Sequence, residues 1–224
     1  MMTWAAVLAD ALVTIHFASP SPLTRPFAAA LLPSLPAPQN GLAAALDPAP
    51  TLPSMQLAHA LLAPSALLLL GAAATVAGAA LRVACFRALG PLFTFELTIC
   101  PAHTLVTSGP YARVRHPSYT GVYLTLLGAS AVMLAPGAWL REAWLAPALW
   151  ALFGAGASST EGIWGARAVL ACAFALFWAT KVFYALRSTN RRVVTEDGEL
   201  HRVFGAQWEE WAARVRWRLL PGVY

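Results

Sequence analysis

The stretch Gly109-Pro110-Tyr111-Ala112-Arg113-Val114-Arg115-His116-Pro117-Ser118-Tyr119-Thr120-Gly121 runs directly into the apolar segment Val122–Ala135, and this junction decides the fold. Arginine, histidine and tyrosine are packed between Gly-Pro and Pro punctuation, and the chain then continues without a charge to Ala135. Polar chemistry is thus concentrated where a polypeptide enters a membrane. Such a junction suits a site that holds a charged small molecule at the bilayer surface.

Composition agrees with that reading. Of the 224 residues 58% are hydrophobic and 11% charged, whereas soluble domains carry about 25% charged residues. The chain therefore reads as an integral membrane protein. Its three cysteines (Cys85, Cys100 and Cys172) are odd in number and lack framework spacing, which excludes a disulfide scaffold or a structural zinc site. No metal is expected. The formal charge of +5 is explained by membrane topology, and no nucleic-acid partner is expected.

Working outward from the junction, four segments are candidates for spanning: Thr3–Ala18, Met55–Leu81, Tyr119–Ala135 and Ala166–Leu186. A span needs about 20 apolar residues to cross a core of about 30 Å. Thr3–Ala18 is short but lacks a basic region before it, so it reads as a retained helix rather than a cleaved signal. The Pro/Ala-rich Pro20–Pro53 reads as a loop, which divides the chain into an N-terminal portion, 1–54, and a membrane-embedded core, 55–224. Small residues at Gly71–Ala74 and Gly78–Ala80 allow close helix approach. Twelve of the fifteen Lys and Arg residues fall in two regions. One holds Arg82, Arg87, Arg113 and Arg115. The other holds Lys181, Arg187, Arg191, Arg192, Arg202, Arg214, Arg216 and Arg218. The positive-inside rule puts both in the cytosol, so an even number of crossings separates them and Trp144–Ala157 reads as interfacial or re-entrant. After Thr195, Leu200, Val203, Phe204, Trp208, Trp211 and Val215 recur at helical spacing as an amphipathic helix, ended by Leu219–Gly222. The fold expected is all-α: a polytopic membrane protein with about four to five transmembrane helices and a C-terminal amphipathic helix.

The two basic regions flank a hairpin and can meet. The first offers His103, Tyr111, Arg113, Arg115, His116 and Tyr119, and the second Arg191, Arg192, Glu196 and Asp197. Taken singly, each has a plain explanation. Arg192 and Glu196, four apart, make a helix-surface ion pair of roughly 0.3–0.5 kcal/mol. The tyrosines fit an aromatic belt, and Arg113 and Arg115 fit headgroup anchors. His116, restrained by Pro117 from the helical region, fits an interfacial turn. Their combination is what points to a site.

That combination resembles the isoprenylcysteine carboxyl methyltransferase family. The matching residues are His103-Thr104-Leu105-Val106-Thr107-Ser108-Gly109-Pro110-Tyr111, then Arg115-His116-Pro117-Ser118-Tyr119-Thr120-Gly121, then Arg191-Arg192-Val193-Val194-Thr195-Glu196-Asp197 with Leu200, Phe204-Gly205, Trp208 and Arg214-Val215. The resemblance covers about residues 85–222. It implies S-adenosylmethionine as methyl donor, and as acceptor the prenylated C-terminal cysteine of CaaX-processed proteins. It also implies an endoplasmic reticulum membrane location with the site facing the cytosol. It assigns cofactor contacts to Glu96, His103, Thr104, Leu105, Val106, Tyr111, His116, Pro117, Ser118, Tyr119 and Glu196, and the acceptor carboxylate to Arg192, so that Arg192 and Glu196 carry the catalysis. Asp197 departs from the second Glu common in the family, and Arg216 from the Pro that often follows Val215. Two alternatives stand beside this reading: a phosphatidylethanolamine N-methyltransferase, and a non-catalytic scaffold that binds membrane lipid. Prenyl-chain length and oligomeric state are left open by these residues.

Overall fold

A computed structural model describes residues 11–15, 18, 31, 59–92, 104–153 and 163–223. Glu96 and His103, most of Thr3–Ala18 and nearly all of Pro20–Pro53 lie outside the described residues. Among the described residues every regular element is helical. These are α1 (Ala66–Leu89), α2 (Pro117–Leu134), α3 (Ala146–Phe153), α4 (Ile163–Phe204) and α5 (Ala206–Arg214), with short 3-10 turns at Gly90–Leu92 and Gly109–Ala112. Two described helices, over Ala66–Leu92 and Ala168–Phe204, are long and apolar enough to cross a membrane. Only 11% and 6% of their most apolar stretches are buried within the protein, whereas the core helix of a soluble domain would be mostly covered. Leu70, Val76, Leu176 and Phe183 are each more than 65% exposed, as a lipid-facing surface requires. Among the described residues two helices are thus candidate spans, against the four to five expected of the whole chain.

Local sequence sets the helix ends. Ser65 caps α1, its Oγ accepting the Leu68 N–H at 3.2 Å. α2 opens at Pro117, one residue before the Ser118 at which the Pro117 signal placed the helix start, because proline is pre-organised for the first helical position. The His116 carbonyl takes the Tyr119 and Thr120 N–H groups at 3.1 and 3.3 Å. Trp144 to Phe153 belongs to a helical run that begins at Trp139 and widens into a π-turn over Arg141–Leu145. Pro147 supplies the reason for the widening. It has no N–H to return to the carbonyl four residues back, and the turn before it takes wider bonding.

The largest correction concerns α4. The last span was expected to end at Leu186 with a separate amphipathic helix from Thr195, but one helix of 42 residues runs through both. At 1.5 Å per residue it is about 63 Å long, roughly twice the hydrocarbon thickness. A single crossing uses only about half of it, and the polar half from Arg187 is length in excess of that crossing. No proline interrupts it, and the break comes at Gly205, where φ is +49°, a conformation that favours glycine. The amphipathic stretch is thus split, and its helical part ends at Arg214 rather than at Leu219–Gly222.

The chain divides into two compact units. One comprises Met1–Ala72 and Ala129–Phe177. It packs Val13 and Leu61 with Trp139 and Ala143, and separately Leu145 and Ala148 with Ala168 and Ala171. In this unit Gly137 has φ +84°, and a Cβ there would meet the Ala60 and Ala63 carbonyl oxygens at 2.9 and 3.0 Å. The other unit comprises Ala73–Gly128 and Trp178–Tyr224. In it α1 and α2 touch backbone to backbone, since a Cβ on Gly78 would lie 2.7 Å from the Gly121 oxygen. The small-residue stretch Gly78–Ala80 thus serves close approach, as its composition suggested.

Candidate functional site

The candidate residues gather in the second unit, where the turn before α2 meets the polar half of α4. His116 is 3% exposed. Its Nε2 lies 2.9 Å from Asp197 Oδ1, which requires the proton on Nε2. Its Nδ1 is 3.9 Å from Glu196 Oε1, beyond hydrogen-bond range. The Tyr119 hydroxyl donates to Glu196 Oε2 at 2.9 Å. The adjacent acids of α4 therefore have different duties. Asp197 is sunk among cations, while Glu196, with a side chain 30% exposed, keeps an oxygen that no described hydrogen bond occupies.

Asp197 also receives Arg115 Nη2 at 3.2 Å and Arg218 Nε at 3.0 Å. Burial disfavours its charge. The His116 hydrogen bond, with the charges of His116, Arg115 and Arg218, outweighs that and holds the carboxyl below the usual aspartate range. Arg218 reaches it because the chain after α5 lies along the turn before α2. The Arg115 and His116 N–H groups donate to the Trp217 and Arg218 carbonyls at 2.9 and 2.8 Å. Thr120 Oγ1 donates to the Leu219 carbonyl at 2.6 Å. Val114, Val193 and Val215 are buried, the apolar backing to this polar junction. The Arg115 guanidinium carbon sits 5.6 Å from the Trp208 ring centre, within cation–π range.

Tyr111 lies on the 3-10 turn that Gly109 opens with φ +61°. Its hydroxyl hydrogen-bonds Cys85 of α1 and feels the charge of Glu196, while its carbonyl accepts Trp211 Nε1 at 3.2 Å. Burial, then the neighbouring Cys85 and Glu196, push its phenol far above the ordinary value, so it remains a neutral donor at any physiological pH. Pro117 is fully buried, and Ser118 accepts from Arg82. Arg192 is exposed on α4, one turn before Glu196, and places positive charge beside the Tyr119 hydroxyl. Glu196 turns to Tyr119 and His116.

The structure brings together Tyr111, His116, Pro117, Ser118, Tyr119, Arg192 and Glu196. Thr104, Leu105 and Val106 lie in a stretch without regular secondary structure before the Gly109 turn, with no ion pair or side-chain hydrogen bond to the His116–Glu196 cluster among the described residues. Asp197, Arg218, Arg82 and Cys85 are members of the site that received no role from sequence. Asp197 was visible as the neighbour of Glu196. Arg218 joins through a pairing about a hundred residues long in sequence, for which no local pattern exists.

The arrangement sets a carboxylate oxygen near two tyrosines, with an arginine one helical turn away, groups that can meet a cation beside an anion. Residues 69–157 match the model of the isoprenylcysteine carboxyl methyltransferase family. The match takes in Arg115–Gly121 and stops before Glu196 and Asp197, whose connection to the first half is made by the contacts above. A Delta(14)-sterol reductase of Septoria lycopersici is 29% identical over 120 residues, which are 54% of this chain and 21% of the reductase. The matched stretch thus spans about a fifth of that relative's length. No solved structure matches the chain.

Proposed function

We propose, from the match of residues 69–157 to the model of the isoprenylcysteine carboxyl methyltransferase family, that the chain methylates the C-terminal carboxylate of prenylated cysteine, with S-adenosylmethionine as donor. The observation that carries the reading is the Tyr119–Glu196–His116 cluster with Arg192 one helical turn away. The residues fit the donor. Glu196 offers its unoccupied oxygen to the α-ammonium group, and the faces of Tyr111 and Tyr119 suit a sulfonium through cation–π attraction.

When bound, the donor supplies an electrophilic methyl group on a sulfonium. Transfer of that methyl group to the acceptor carboxylate would break a carbon–sulfur bond and form a carbon–oxygen bond, the electron pair staying on sulfur, so that thioether and ester would leave uncharged at those atoms. No proton moves, because the acceptor is already ionised at neutral pH. The protein therefore acts by positioning and by exclusion of water. Asp197 fixes the His116 ring, Tyr119 orients Glu196, and Arg192 holds the acceptor carboxylate through two parallel N–H bonds. The prenyl chain enters from lipid, and the donor from the cytosol, where the two basic regions lie. Prenylated CaaX proteins at the endoplasmic reticulum membrane are the partners on this reading.

The reductase likeness supplies a second reading, hydride addition to a sterol double bond. That substrate has no charge for Arg192 and Glu196 to meet. One assay decides: membranes containing the protein receive tritiated-methyl donor with a farnesylcysteine analogue, phosphatidylethanolamine or a Δ14-sterol plus reduced nicotinamide. Label in the prenylcysteine ester supports the proposal. Label only in the phospholipid, or sterol reduction without methyl transfer, overturns it.

A further inference from the structure

Arg82 lies within Ala66–Leu92, a helix long and apolar enough to cross a membrane, where an arginine is costly and marks a ligand path more often than decoration. Its hydrogen bonds among the described residues are both long, 3.4 Å to the Ser118 carbonyl and 3.5 Å to Ser118 Oγ. Most of the five donors of its guanidinium remain available. The stem is seated by a specific vacancy. A Cβ on Gly121 would lie 2.6 Å from Arg82 Cγ and 2.8 Å from the Gly78 oxygen. Gly121 is thus bare because Arg82 crosses it, and the crossing carries the guanidinium over α2 toward Ser118 and Tyr119. There its charge acts on the Tyr119 hydroxyl, as does that of Arg192. Arg82 thus meets Ser118, the neighbour of Tyr119, and the charges of two guanidinium groups from different helices act on one hydroxyl. Glu196 is the carboxylate beside it, and on the reading above Glu196 is committed to the donor's ammonium. A second anion completes the charge balance.

Resting on that reading, we propose that Arg82 is a second ligand of the acceptor carboxylate, the membrane-side half of a clamp whose cytosolic half is Arg192. Arg82 approaches the Tyr119 hydroxyl from the apolar helix α1 and Arg192 from the polar half of α4, so the pair can grip a carboxylate from the side of the apolar chain and from the side of the polar helix. Gly121 of the Arg-His-Pro-Ser-Tyr-Thr-Gly run acquires a reason: it admits the arginine stem.

The test compares wild type with Arg82→Gln and Arg82→Lys in detergent micelles, using N-acetyl-S-farnesylcysteine and its carboxamide. Binding of each is read by competition with a fluorescent prenyl probe, and donor affinity by calorimetry. Wild type should prefer the carboxylate over the amide by about tenfold or more, as for a charge-assisted bidentate pair. Arg82→Gln should erase most of that preference and lower kcat/KM about tenfold, with donor affinity within about twofold of wild type on that scale. Arg82→Lys should recover part of the preference, since it keeps charge but not the planar fork. Equal weakening of carboxylate and amide, a lost donor affinity, or an unchanged preference in Arg82→Gln would each overturn the clamp. Should wild type bind the donor yet methylate no prenylcysteine, the esterification reading falls, while the carboxylate-to-amide ratio in binding still decides Arg82.

Discussion

His116 Nε2 stands 2.9 Å from Asp197 Oδ1, joining the turn before α2 to the polar half of α4 across 81 positions of sequence. The bond fixes which face of the imidazole meets Glu196, and the same aspartate ties Arg115 and Arg218. The ion pairs are shielded, the Asp197 side chain being 7% exposed, so removing this one acid leaves three groups of positive or partial positive character without a partner.

Asp197→Ala should therefore lower stability by about 3–5 kcal/mol, as for loss of one partner from a buried pair, measured by thermal unfolding in detergent. Asp197→Asn, isosteric and still able to accept from His116, should cost less.

The pH dependence of that difference has a definite sign. The folded carboxyl titrates below the ordinary value of 3.8, so its contribution is complete above about pH 5 and is lost as pH falls through 3.8 toward the lower folded value. The stability gap between wild type and Asp197→Asn should stay flat from pH 8 to pH 5 and close only below pH 4. A gap that closes near pH 6 would mean that the His116 proton, not the aspartate charge, carries the link.

Glu196→Ala should weaken S-adenosylmethionine binding by about 2 kcal/mol, the low end for a charge pair that loses a partner, because 30% of the Glu196 side chain is exposed. Tyr119→Phe removes the hydroxyl that orients it and should cost about 1.5 kcal/mol, as for one hydrogen bond to a charged group. Calorimetry reads both, and unchanged donor affinity in Glu196→Ala would return that residue to a surface role.

Gly78→Ala should destabilise the pairing of α1 and α2 by about 1–3 kcal/mol, the range for overpacking. The new methyl would lie under 3 Å from the Gly121 oxygen, Thr125 Oγ1 and Leu124 Cβ. Gly198→Ala, where nothing lies within 4 Å, is the matched control and should be neutral or slightly stabilising in the unfolding temperature, because alanine favours the helix.

Much of this site was legible in the chain because its signals are local. Pro117 announced the start of α2, the small residues near Gly78 announced a close helix contact, and the acidic pair followed the arginines at helical spacing. The length of α4 was not legible, because hydropathy falls at Leu186 although helical geometry does not. A helix leaving a membrane changes its solvent, not its hydrogen bonding, and only Gly205 stops it. The role of Asp197 was hidden for a different reason. Its ionisation depends on Arg115 and Arg218, brought together by backbone pairing of the turn before α2 with the chain after α5, and no periodicity encodes contacts of that separation.

Arg192 separates the enzyme readings. Its guanidinium stands exposed one turn before Glu196, beside the Tyr119 hydroxyl, where an acceptor carboxylate can take two parallel N–H bonds. Arg192→Lys keeps the charge and loses the fork. Methylation of a farnesylcysteine analogue should fall about tenfold or more in kcat/KM, with donor affinity within about twofold of wild type, since the proposed function gives the donor to Glu196 and the acceptor to Arg192. An arginine that only decorates the helix surface would tolerate lysine throughout, since exposed pairs contribute about 0–1 kcal/mol. A phospholipid methyltransferase would act on phosphatidylethanolamine and ignore the prenylcysteine, whichever residue stood at position 192. Wild-type turnover in the lysine variant, measured on the prenylcysteine analogue, removes the clamp. Loss of donor affinity along with turnover assigns Arg192 to the donor instead.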